Sequence, residues 1–411
     1  MDDTAIPFAR PFIGQEEEEA VLRVLRSGWL TTGREALAFE EEFTKFLAGV
    51  GPVQSFAVNS ATSGLHLALE ACGIGSGDLV LVPSYTFVST AEVVRYLQGE
   101  VVFVDTQPGT FHLDPEALEA SIQRLMRGEA AYKTPSGRCF GPRGLPKAVI
   151  PVHYGGLPHN IDAVMAIARR YDLKVVEDAA HAFPSRLEDG RWAGTIGDVG
   201  VFSFYATKTL TTAEGGMVVS RDAEIPRRIG LLRSHGIDRS VWNRYTDTQA
   251  SWYYAVVAAG YKYNMPDLLA ALGRVQLARA AALLDRRIRI ATAYDEAFQG
   301  DRHFSVPPTG PGDARHLYPL RLNRETLSIS RDAFIQQIQA AGVGVSVHFI
   351  PLHCMPYYQE RYGLKAEDLP ASMESFHRVI SLPIWPGMQG GQVDRVIETV
   401  KTIAREHALD A

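Results

Sequence analysis

Short, unbroken apolar runs alternate along the first half of this chain with stretches whose apolar positions recur every three or four residues. Residues 79–82, 101–105 and 148–152 are of the first kind, as strands buried on both faces are, and 174–178 is a short β-branched run that ends in two carboxylates. Residues 15–26 and 161–171 are of the second. The first begins acidic and is closed by Ser27-Gly28, and a further helix is opened by Asp114-Pro115 and stopped by Gly128. A strand end at 57–60 leads into the periodic run 61–69. This rhythm predicts a mostly parallel sheet covered by helices. Two more strands, 199–204 and 217–220, flank a turn at Glu214-Gly215-Gly216.

The second half reads differently. A continuous helical stretch, 268–298, is followed by a Pro/Gly-rich loop at 300–313. Strands at 316–322 and 343–349 are expected around a helix at 332–341, and a last helix at 391–407. We expect two domains, a large one over 1–264 and a smaller α+β one over 265–411. Segment 129–147 breaks the pattern and is expected to be a surface insertion.

Composition narrows the class. Of 411 residues, 46% are hydrophobic and 21% charged, as in ordinary globular proteins, and a net charge of −6 offers nucleic acid no footprint. The opening MDDTAIPFARPF lacks the basic and then apolar order of a signal peptide, and no run approaches the ~18 apolar residues of a spanning helix. Three cysteines without a CxxC pair, Cys72, Cys139 and Cys354, fit reduced thiols. No HExxH or clustered Cys/His spacing points to a metal. The expectation is a cytoplasmic protein without membrane, nucleic acid or metal.

Candidate chemistry sits at the strand ends. Run 174–178 ends in Asp178, and run 199–204 delivers Ser203 and then Lys208 to a polar loop. A lysine beyond one strand end, with a carboxylate leaving another, is an arrangement that holds pyridoxal phosphate (PLP). The amine bonds the aldehyde, and the carboxylate keeps the ring nitrogen protonated. Taken alone the spacing is a weak signal, better described as two solvated charges. Thr62 and Ser63 open a helix where free N–H groups suit a phosphate, although by themselves they are better explained by ordinary N-capping. Trp29 and Thr31 lie between Gly28 and Gly33 in what reads as a turn. Phe87 is compatible with a core aromatic, His181 with a backbone-satisfied histidine and His348 with a core strand histidine.

VVEDAAHA and FSFYATKTLTTAEGGMVV, together with GWLTTG, NSATSGLHLAL, PVHYGG and GYKYN, resemble the DegT/DnrJ/EryC1/StrS family of PLP-dependent sugar aminotransferases. Matching signatures run from Ile6 to nearly the end of the chain. The resemblance implies an aspartate aminotransferase-like (fold type I) α/β architecture, with a large mostly parallel-sheet domain and a smaller α+β one. It implies Lys208 as the catalytic lysine and Asp178 at the ring nitrogen. Ser203, Thr62 and Ser63 would lie at the phosphate, Phe87 on the ring and His181 against the cofactor. Trp29, Thr31 and His348 would face the sugar nucleotide. Where the family commonly reads Gly-Tyr-Asn-Tyr-Arg, this chain has Lys262 and Asn264, a cation and an amide in swapped order. Both are expected to reach the phosphate of the other subunit in a homodimer. Glu214 matches a family position, and a turn carboxylate would look identical. Lys208 stands where a deoxygenating branch has histidine, which favours transamination. The implied reaction takes the amine of a donor, glutamate, to a nucleotide-linked keto sugar. C4 is favoured, with C3 or a catalytically retired regulator as alternatives.

Overall fold

The computed structural model describes residues 5–49, 53–133, 137–222, 224–238 and 253–410. Its centre is a seven-stranded sheet built from β1 (Gln54–Val58), β2 (Leu79–Pro83), β3 (Glu100–Val104), β6 (Pro146–Val149), β7 (Lys174–Asp178), β8 (Val199–Ser203) and β9 (Gly216–Ser220), in the order β1-β9-β8-β7-β6-β2-β3. Strands β3, β2, β6, β7 and β8 run parallel, while β9 is antiparallel to both neighbours. The short pair β4 (Tyr132–Lys133) and β5 (Cys139–Phe140) lies inside the expected insertion. It is more than surface loop. Tyr132 is buried and its hydroxyl oxygen accepts from the backbone N–H of Phe103 at 2.7 Å, anchoring the segment to β3. Residues 134–136 of the insertion lie outside the described residues.

Helices pack on the sheet because their buried stripes match its apolar strands. Helix α1 (Gln15–Ser27) carries Glu16, Glu17 and Glu18 in its first turn and ends at Gly28 in the left-handed conformation, φ 73°. Helix α2 (Arg34–Phe46) buries Phe39 and Phe43. Helix α3 (Ala61–Ala71) lies close over β8 and β9. Gly64 makes that possible, since a Cβ there would come within 2.7 Å of Val201 and 3.0 Å of Val218.

Among the described residues, a three-stranded antiparallel sheet forms the core of the C-terminal unit: β10 (Phe304–Ser305), β11 (Tyr318–Leu322) and β12 (Val379–Leu382). Tyr294, Phe298, Phe334, Val396 and Val400 pack on it, and so does Ile6 from the chain's beginning, which bridges to Val343. Two expectations need correction. Residues 343–349 form no strand, because β12 occupies the place beside β11 and leaves only single bridges at Val343 and Ser346. The helical stretch 268–298 is two helices, Asp267–Ala278 and Ala280–Phe298, broken at Arg279. The first of these lies past residue 264, yet it buries Ala270 and Leu277 with Phe39 and Phe43 of α2. No helix among the described residues is long and apolar enough to cross a membrane.

Candidate active site

Parallel strands bring their C-terminal ends to one edge of a sheet, and ligands collect there. Asp178 ends β7 opposite Val201 of β8, two residues before Ser203. The antiparallel β9 starts where its neighbours finish, so Gly216 pairs with both Ser203 and Val58. Just beyond Val58 the chain turns into α3. Gly216 allows the close approach, since a Cβ would meet the backbone N of Ala61 at 2.8 Å. The start of α3, the end of β8 and the loop carrying Lys208 therefore meet.

They enclose a cavity of about 410 Å³, lined by Thr62, Phe87, Asp178, His181, Ser203, Lys208, Glu214 and His348 among others. Seven of the sequence-derived candidates thus share one space with Glu214. The others do not line it. The Ser63 hydroxyl is taken up by α3's own start, donating to the Ser60 carbonyl at 2.8 Å and to Asn59 Oδ1 at 2.7 Å. Trp29 packs over Gly33, and Thr31 contributes its carbonyl to the backbone N of Asp267 at 3.3 Å. Lys262 is exposed and bridges Ser234 through its backbone. Asn264 lines a separate cavity of about 570 Å³, and its side-chain nitrogen donates to Thr32 Oγ1 at 2.5 Å.

Electrostatics distinguish Lys208. Burial pushes its amine down to about 7, with Asp178 acting in the opposite sense and Arg287 reinforcing the fall. Asp178 is itself nearly inaccessible, and burial raises its carboxyl. The backbone N of Ala180 (3.1 Å) and the Thr90 hydroxyl (2.8 Å) donate to it, and with Lys208 they favour the ionised form. Thr86 Oγ1 lies 2.8 Å from Thr90 Oγ1 and extends that chain.

The imidazoles are neutral. His181 is held well below its usual range, first by burial and then by Lys208, and its Nδ1 accepts from the backbone N of Gly155 at 3.3 Å. That bond puts its proton on Nε2. His348 is lowered to about 4 by burial. Its Nδ1 lies 2.9 Å from Ser381 Oγ, and its ring stacks on Phe8 at 5.3 Å. Phe87 is 53% exposed at the mouth, 5.8 Å from the ring of Phe349.

Sequence reasoning missed Thr90, His316 and Phe349. His316 lines the cavity with its ring 4.6 Å from His181, and burial holds it neutral. Phe349 stacks on His181 at 5.8 Å. The residues present fit PLP. The amine of Lys208 makes no hydrogen bond or ion pair within the described residues, a buried carboxylate flanks the same space, and the N-terminus of α3 supplies unpaired N–H groups for a phosphate. PLP, when bound, supplies an aldehyde that bonds amines and a ring that withdraws electrons.

A mostly parallel sheet presenting a desolvated lysine and a buried carboxylate at adjoining strand ends defines a PLP-dependent aminotransferase of fold type I. Comparisons with known proteins agree. Residues 11–401 match the DegT/DnrJ/EryC1/StrS aminotransferase family model. The spore coat polysaccharide biosynthesis protein SpsC of Bacillus subtilis is 41% identical over 404 residues, covering 97% of each chain. The PLP form of Spr1654 from Streptococcus pneumoniae superimposes with a TM-score of 0.84 at 30% identity, over 98% of this chain and 99% of that one. Helicobacter pylori PseC, an aminotransferase of pseudoaminic acid biosynthesis, gives a TM-score of 0.85 at 26% identity, over 98% and 100%. The chain belongs to the DegT/DnrJ/EryC1/StrS aminotransferase family, whose members use PLP and act on sugars.

Proposed function

We propose that this chain transfers the amino group of glutamate to C4 of a nucleotide-linked keto-deoxy sugar, in the biosynthesis of an amino sugar for a surface polysaccharide. The observation that carries the reading is the buried amine of Lys208, without a hydrogen-bond or ion-pair partner among the described residues, in one cavity with the buried carboxylate of Asp178. An amine at about 7 has its lone pair free near neutrality, so it can bond an aldehyde and afterwards accept and return a proton as general base and acid. Asp178 keeps the proton on the ring nitrogen. Thr62 and Ser203 hold the phosphate, with Ser63 ordering the start of α3. His181 faces the ring, and Phe87 and Phe349 exclude water from it. His348, with its ring fixed by Ser381 and Phe8, is placed for a sugar hydroxyl. Trp29 and Thr31 belong to the sugar-nucleotide side. Lys262 and Asn264 act from the partner of a homodimer, which accords with their lying outside this chain's own cavity. The names of SpsC and PseC support a polysaccharide or amino-sugar product.

Borohydride reduction with PLP, followed by peptide mass mapping, tests the site. A pyridoxyl adduct on the Lys208 peptide is expected, and its absence under conditions where PLP binds would move a retired binding protein to the front. Keto-sugar nucleotides screened with glutamate then test the position. A product aminated at C3 on NMR would replace the C4 assignment.

A further inference from the structure

Arg287, on the helix Ala280–Phe298, is 2% exposed. Its Nη1 donates to the carbonyls of His316 (3.2 Å) and Ile384 (3.0 Å), and its Nη2 to that of Thr207 (3.5 Å). Nε is buried without a partner, and no carboxylate among the described residues acts on the group. Thr207, His316 and Ile384 all line the cavity, whereas Arg287 stands behind them. The guanidinium therefore sits where the lysine loop meets two segments of the C-terminal unit.

Three carbonyls explain hydrogen-bond donors there but not a charge. A buried cation without a counter-ion is expensive, and a neutral amide would serve the carbonyls at less cost. We propose that Arg287 is a positioning residue for Lys208. It braces the carbonyl preceding the lysine against the opposite wall, and its unpaired charge favours the neutral form of the amine. This rests on Lys208 being the cofactor-linked amine.

The groups facing that amine give the charge its meaning. Asp178 comes from β7, His181 from the turn after it, His316 and His348 from the C-terminal unit, and Glu214 from the end of the lysine loop. The three imidazoles are neutral through burial. Asp178 draws a proton onto Lys208, and Arg287 opposes it across the wall. A protonated ammonium has no lone pair to attack an aldehyde, so this opposition sets how much of the enzyme is competent at neutral pH.

The test reads the lysine itself. Cofactor-free protein is trace-labelled with acetic anhydride across pH, and the Lys208 peptide is quantified by mass spectrometry. In Arg287→Met the labelling midpoint of Lys208 should rise by about one pH unit. Arg287→Gln, which keeps donors for the carbonyls but no charge, should show the same rise and is read in its place if the methionine variant does not fold. Arg287→Lys should restore most of the wild-type midpoint. An unmoved midpoint in a folded neutral variant, or an equal rise in Arg287→Lys, overturns the proposal. Borohydride trapping on the same proteins separates the two readings. Wild type that traps no cofactor on Lys208 removes the aminotransferase site whatever the midpoints do. Wild type that traps it, with midpoints unmoved in the variants, removes only the role of Arg287.

Discussion

A primary amine is a nucleophile only without its proton, and at Lys208 burial creates that condition. The group falls from 10.5 to about 7 on folding, so between those values the unfolded chain binds more protons than the folded one. Stability through this group is fully present above 10.5 and is lost as pH falls towards 7. Lys208→Met should therefore raise the melting temperature of the cofactor-free protein by several degrees at pH 7, with little change at pH 10.5. A gain that grew with pH would contradict the burial of the amine. Thr90 is the matching test on the carboxylate side. Removing its hydroxyl with Thr90→Val loses a hydrogen bond to a charged group, and cofactor affinity measured by equilibrium absorbance should fall by about tenfold. That Lys208, Asp178 and Ser203 would share one cavity was legible from the motifs VVEDAAHA and FSFYATKTLTTAEGGMVV and not from their spacing, which alone also describes solvated charges. Thr90 was not, because it reads as an ordinary helix-opening hydroxyl and its partner lies 88 residues away.

The start of α2 shows how far apart in sequence the two halves of a structural device can lie. Gly33 has no side chain to cap that helix, and Asp267 does the work instead. Its carboxylate accepts from the backbone N of Gly33 (2.7 Å), Ala36 (3.0 Å) and Glu35 (3.3 Å). Asp267→Ala would leave those donors buried and unpaired, at about 3 kcal/mol, measurable by urea denaturation. A loss below about 0.5 kcal/mol would mean that water replaces the cap. In β8, a Cβ on Gly200 would collide with the carbonyl of Gly194. Gly200→Ala should displace the strand that delivers Ser203, costing on the order of 3 kcal/mol and weakening cofactor binding together with stability. The strands of the large sheet were readable because continuous apolar runs admit few other fates. The break at Arg279 was not, since Ala, Leu and Arg favour helix on both sides of it. The reading of 343–349 as a strand failed for another reason. Apolar alternation reports an extended chain, and pairing depends on which segment lies beside the sheet edge, here β12 next to β11.

For the whole molecule, the cavity between the large sheet and the C-terminal unit gathers three neutral imidazoles, His181, His316 and His348. Each is depressed below 6.5 by burial, so each stabilises the fold fully above that pH and loses its contribution as the pH falls, for His348 towards about 4. The melting temperature should drop across that window, and His316→Phe should flatten the drop. The α/β class was visible in the alternation of runs. The closure of the site by the C-terminal unit was not, because no local pattern records which distant surfaces meet. The first described residues join in that closure. Ile6 is fixed on Val343, Phe8 stacks on His348, and Arg10 is exposed just beyond them. Deleting residues 1–10 would remove this strap while leaving the large sheet whole. An enzyme trimmed there should keep its cofactor and lose its grip on sugar, so whatever alters the chain's first ten residues acts on the substrate side of the site.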